Sequence, residues 1–181
     1  MKYITFHKES TGYLKVDLNE AFELLFGKNT VTEVHGPSLT ITDWSPNKAK
    51  RIARTLKFIM DTNELPPEVK GLVSEKKVVA KIKQEILLRT DHKITIKGKF
   101  RIDVFGLSKM LKINNVMTIE KENINNVDVV SVSGKIEYNA FLLPYLNDIA
   151  ENYMAIKIHN ELSLYQTIIF RKLQERTETK E

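Results

Sequence analysis

Cysteine is absent from the chain. That excludes disulfides, thiolate nucleophiles and thiolate-bound zinc, and it fits a reducing compartment. Glycine is scarce, with seven in 181 residues, and no glycine-rich phosphate loop occurs among them. The four histidines, His7, His35, His92 and His159, stand far apart and form no HxH or HExxH pair. Long apolar runs are missing too. Phe141-Leu142-Leu143 is typical of the longest, far short of a bilayer span. The opening stretch MKYITFHKESTG has no apolar segment or small-residue cleavage site, so no secretory leader is expected. These absences predict a cytoplasmic protein without a membrane partner, cofactor, metal centre or catalytic residue set.

What is present suits a globular protein. Hydrophobic residues make up 42% and charged residues 28%, enough for a real core, and the length fits one domain or a domain with an extension. The net charge of +5 is unevenly spread. Residues 46–101 hold fifteen of the 28 Lys/Arg and only six of the 23 Asp/Glu. Such asymmetry suits a surface for polyanions, although lysine also serves simply to keep a face soluble.

Along the chain, residues 1–45 read as a βαββ segment. "DLNEAFELLFG" is a helix with Asp17 or Asn19 as N-cap and Gly27 as its stop, and "TVTEVHGPSLTITDW" reads as two strands around a turn. Residues 46–89 read as a basic helical segment. Ser45-Pro46 has the form of an N-cap followed by proline, and Ala49, Ile52, Ala53, Leu56, Ile59 and Met60 recur at helical spacing. A short helix from Pro67 and a second long helix over 75–89 follow. Residues 90–175 read as a C-terminal α+β segment. It comprises a basic hairpin over 93–104 turning at Gly98, a short helix at "GLSKMLKI", strands around Asn pairs, then strand, helix and two strands about a turn at 159–161. The predicted fold is α+β, with antiparallel or mixed sheets near both ends and the basic helical segment between them. All three segments can belong to one domain.

Helices followed by a basic hairpin have the order of a winged helix-turn-helix. A looser requirement is phosphate contact alone, which needs charge density more than a motif. Lys48, Arg51, Lys76, Lys77, Lys81, Lys83, Lys97, Lys99 and Arg101 are the candidate nucleic-acid-binding residues. Aromatic interleaving for single strands is largely missing from this region. Asp103 with Glu120 and Lys121 is the nearest approach to a carboxylate set that would hold Mg²⁺ in a nuclease.

"KIEYNAFLLPYLNDIAENYMAIKIHNELSLYQTIIF" resembles, in element order, the half-domain of DNA sliding clamps. The helix of that stretch carries Asp148 and Glu151 and no Lys or Arg, whereas clamp helices facing DNA are basic. The resemblance therefore implies α+β architecture and no more. The sequence thus predicts a non-enzymatic binding or regulatory protein of phage or mobile-element type, whose basic centre engages nucleic acid or a nucleoprotein complex. The alternatives are an interaction module or inhibitor that binds a protein, such as a host protein, without touching nucleic acid, and a metal-dependent nuclease.

Overall fold

β-Branched, aromatic and charged residues alternate through the middle of the chain, and they form strands where helices were expected. The computed structural model describes residues 4–64, 67–71, 77–103 and 111–140, with helical positions between 152 and 175. Five long strands, β4 (Ile52–Asp61), β5 (Lys77–Arg89), β6 (Lys93–Asp103), β7 (Leu111–Ile124) and β8 (Val127–Ala140), follow one another as antiparallel neighbours. The amino-terminal strand β1 (Ile4–Leu14) closes one edge against β8. Short strands β2 (Thr40–Ile41) and β3 (Ser45–Pro46) both pair with β4 at the other. All eight strands belong to one sheet.

The expected fold class is overturned: one antiparallel sheet replaces two, and no basic helical segment lies between sheets. The stretch predicted as the 46–61 helix is β4, and the one predicted as the 75–89 helix is β5. Ser45-Pro46 does not cap a helix. Instead Asn47 organises a tight turn into β4, its side-chain oxygen accepting from the Ala49 and Arg51 amides at 2.8 and 3.1 Å, with Lys50 at φ 59°. The 93–104 stretch is not a hairpin. Gly98 lies in mid-strand, opposite Asn115, and a Cβ there would collide with the Asn115 side-chain oxygen. Glycine in a strand interior marks such a close approach.

Some local expectations hold and others do not. α1 (Leu18–Phe26) begins at Asp17, whose carboxylate accepts from the Glu20 amide at 2.8 Å, and ends at Gly27. The expected strand after it is instead a second helix, α2 (Lys28–His35), ending at Gly36 with φ 82°. A one-turn helix, α3 (Pro67–Lys70), matches the predicted short helix at Pro67. Asn125 and Asn126, at φ 52° and 63°, make the tight β7–β8 turn of the type that fits strand twist. Of the stretch predicted as a helix at 106–113, residues 106–110 lie outside the described residues, and Leu111–Ile113 belong to β7. His159 to Ile169, expected as turn and strand, are helical at every described position.

The sheet folds around α1 and the carboxy-terminal helical residues. Leu18, Ala21, Phe22, Leu25 and Phe26 of α1 pack with Ile94 and Ile96 of β6, Ile119 of β7, Val130 of β8 and Ile169. Each fully buried aliphatic side chain of this kind contributes about 1.5–3 kcal/mol. Among the described residues no helix is long and apolar enough to cross a membrane.

Candidate functional site

Side chains on a strand alternate between its two faces, so the core residues fix which face of the sheet points inward. On β6 the inward set is Ile94, Ile96, Gly98 and Phe100. The cross-strand register then assigns β4 and β5: Arg54 and Leu56 lie inward beside Gln84 and Ile82. Most inner rows are apolar, such as Leu56–Ile82–Phe100–Ile113. One row is not. Arg54, Gln84, Gly98 and Asn115 stand opposite one another across β4, β5, β6 and β7. They lay a polar stripe across the interior face.

Arg54 is the unusual member of that row. It is only 6% exposed, although arginine is almost never buried without a partner. Its Nε donates to the Gln84 side-chain oxygen at 2.7 Å, and its guanidinium carbon lies 4.4 Å from the centre of the Trp44 ring. Nη2 is buried and has no hydrogen-bond partner. Burial pushes the Arg54 pKa down to about 10, with Tyr165 and Glu23 acting against the shift, so the group stays cationic at neutral pH.

Aromatic rings continue from the Trp44 contact along the same side of the sheet. Trp44 meets Phe22 at 5.9 Å and Phe22 meets Phe26 at 5.6 Å. Towards the sheet, His35 at the end of α2 stacks on Phe58 at 5.0 Å and 20°, and meets Tyr165 edge-on at 6.3 Å. Phe58 in turn lies 6.2 Å from Phe100. Burial lowers the His35 pKa to about 4, so this imidazole is neutral at physiological pH. Buried polar groups beside aromatic rings, two of them with shifted pKa values, make this side of the sheet the candidate site.

The predicted phosphate-binding residues lie elsewhere. Lys81, Lys83, Lys97, Lys99 and Arg101 alternate with the inward residues of β5 and β6 and therefore share the outer face of the sheet. Arg51, just before β4, is exposed and bonds Glu85 at 2.7 Å. Lys48 is exposed in the turn before β4. Lys77 is the first residue of β5, and Lys76 lies outside the described residues. The structure therefore brings together most of the basic set, on strands and not on helices.

The nuclease set is not brought together. Glu120 pairs with Lys93 at the start of β6, with the side chains 2.9 Å apart, while Asp103 ends the same strand. Ten residues of extended chain put them roughly 33 Å apart. Among the described residues no group of three His, Asp or Glu side chains could hold a metal ion.

Sequence reasoning did not single out Arg54, Gln84, Trp44 or Asn115, and it read His35 as an ordinary turn residue. The available signal was an arginine and a glutamine at inward positions of otherwise alternating strands, visible only once the stretches are taken as strands.

No family model matches the chain, and no curated protein matches it in sequence. Solved structures share its shape. The Zhui aromatase/cyclase from Streptomyces sp. R1128 superposes with a TM-score of 0.58 at 7% identity, covering 96% of each chain. A conserved protein from Geobacillus kaustophilus gives 0.52 at 10% identity over 94% of this chain and 96% of the other. A protein from Rhizobium loti gives 0.50 at 10% identity over 93% and 99%. At such identities the likeness is one of fold alone: an antiparallel sheet closed around helices, the helix-grip fold.

Proposed function

We propose that the protein binds a small ligand inside the grip of the sheet, an apolar body carrying a carboxylate or carbonyl oxygen that meets Arg54. The observation that carries this reading is the buried Arg54 Nη2 without an acceptor. A buried guanidinium donor left unmade costs more than an ordinary hydrogen bond returns, and unsatisfied buried groups of native proteins are expected to have a use. An oxygen acceptor from a ligand completes the fork that Gln84 half-fills. Gln84 and Asn115 extend the same polar row, so a ligand lying across β4 to β7 has further polar groups along its path. Neutral His35, Phe58 and Trp44 offer ring faces to the apolar body. An aromatase/cyclase has the same fold, which agrees with an interior built to hold an organic molecule.

Trp44 is the single tryptophan of the chain and lies against Arg54, so its emission reports this site alone. Anilinonaphthalenesulfonate, an aromatic anion, and medium-chain carboxylic acids are suitable probes. Titration is expected to change Trp44 emission and raise the melting temperature. The double variant Arg54→Met with Gln84→Leu removes both polar partners together. It is expected to abolish the response while stabilising the unliganded fold by about 1–4 kcal/mol, as apolar replacement of buried charged groups commonly does. Equal probe affinity in that variant and the unmodified chain sinks the reading.

A further inference from the structure

On the outer face of the sheet the cations fall into register across neighbouring strands. Lys57 of β4 stands opposite Lys81 of β5, which stands opposite Arg101 of β6. Two residues along, Lys83 stands opposite Lys99. Two further along, Lys97 and Lys135 flank Val116. Lys57, Lys83, Lys99, Arg101 and Lys135 are exposed, and Lys81 and Lys97 are half-buried. Like charges directly opposite on a sheet destabilise it, so the fold carries this arrangement at a cost. Acids are few among the described side chains of these rows. Glu85 is engaged by Arg51 at 2.7 Å and Glu137 lies 3.6 Å from Lys135.

We infer that this outer face is a docking surface for the phosphate backbone of duplex DNA. Facing cations lie about 5 Å apart and successive rows about 6.6 Å apart, a density matched to closely spaced phosphates. Several can be met at once by one backbone, each releasing a condensed counterion. A depression of about 100 Å³ opens between Lys97, Asn114, Val116, Lys135 and Glu137, lined by two lysines and by the carboxylate that lies 3.6 Å from Lys135.

Two features select the duplex over other polyanions. The outward positions of β4, β5 and β6 carry no aromatic residue, so the stacking that holds single strands is missing. A lipid surface is entered by apolar side chains set among cations. Here the exposed pair Ile59 and Val79 stands at one end of the patch, between the Lys57–Lys81 row and the Asp61–Lys77 pair, while the successive rows of Lys81, Lys83 and Lys97 have no apolar row between them. The surface reads backbone, not bases, so binding is indifferent to sequence.

Fluorescence anisotropy with a short duplex DNA, in salt from about 50 to 200 mM, tests this inference. The unmodified chain is expected to bind at the low end and to weaken steeply with salt. Replacing Lys81, Lys83, Lys99 and Arg101 with Gln should cut affinity roughly tenfold or more and flatten the slope of log K against log salt by roughly 3–4. Its melting temperature should be unchanged or raised, which distinguishes a lost surface from a lost fold. Should that variant fail to fold, Lys83→Gln with Lys99→Gln carries the same test with about half the slope change. The interior variant, Arg54→Met with Gln84→Leu, is expected to bind duplex DNA as the unmodified chain does. No duplex binding at low salt, an unchanged slope in the Gln variants, or an equal loss in the interior variant overturns the inference. So does tighter binding to single strands, or to phosphatidylserine vesicles, than to duplex.

Discussion

The two faces of β4, β5 and β6 are built from the same three strands and differ by one residue of register. The inner face is apolar except for one row, where Arg54, Gln84 and Asn115 interrupt the core. The outer face is basic, with Lys57, Lys81, Lys83, Lys97, Lys99 and Arg101 alternating against that core. A cation inward and a cation outward on one strand are therefore different objects. Arg54 loses hydration, its pKa falls to about 10, and its buried Nη2 has no acceptor. Exposed Lys57 or Lys99 keeps its water and contributes only as part of a field. The interior is the proposed place for one small ligand, and the outer face the proposed place for a long polymer of repeated charge.

Leu56→Ala gives the largest expected effect and sharpens this comparison from the inside. Leu56 is fully buried between Arg54 and Phe58 on β4, so the substitution should cost about 2–5 kcal/mol in urea unfolding. Wild-type stability would mean that the inner and outer faces have been exchanged.

Acid should discriminate between the faces by a smaller amount. His35 titrates near 6.5 in the unfolded chain and at about 4 when folded. Between these values the unfolded state binds more protons, so stability falls as pH drops from 6.5 towards 4 and levels off below. The loss reaches up to about 3 kcal/mol for this one group. In His35→Phe, chemical denaturation at stepped pH should show that part of the slope removed. An unaltered slope would place His35 outside the buried aromatic group.

Lys83→Glu is the gentlest test. It sets a carboxylate opposite Lys99 and should stabilise the sheet by about 0.2–1 kcal/mol, an effect that fades as salt screens the pair. A loss of several kcal/mol instead would mean that Lys83 points into the core.

The structure also shows why the central strands were hard to read. In β4 the inward residues run Ile52, Arg54, Leu56 and Phe58, while Ile59 is 50% exposed on the other face. A buried arginine and an exposed isoleucine each break strict alternation. What remains, Ile52, Ala53, Leu56, Ile59 and Met60, mimics helical spacing. In β5, inward Gln84 and outward Val79 blur the pattern in the same way. The pattern fails at Arg54 and Gln84, polar residues at buried positions that packing alone would fill with apolar ones. β6 has few such exceptions: Ile94 and Ile96 are buried, and Lys99 and Arg101 are exposed.

Local chemistry written into the sequence decided the Asp17 cap and Gly27 stop of α1, the short helix at Pro67, the concentration of charge between 46 and 101, and the alternation of β6. Those features depend on neighbours within a few residues, where capping, turn preference and side-chain period act directly. Tertiary structure decided the rest. Cross-strand pairing set Lys57 beside Lys81 and Arg101 from three separate stretches of chain. The sheet's closure around α1 and Tyr165 turned Arg54 from one more basic residue into a buried cation whose Nη2 lacks an acceptor. Burial and register are properties of the assembled sheet, since each strand acquires an inside only when its neighbours supply one.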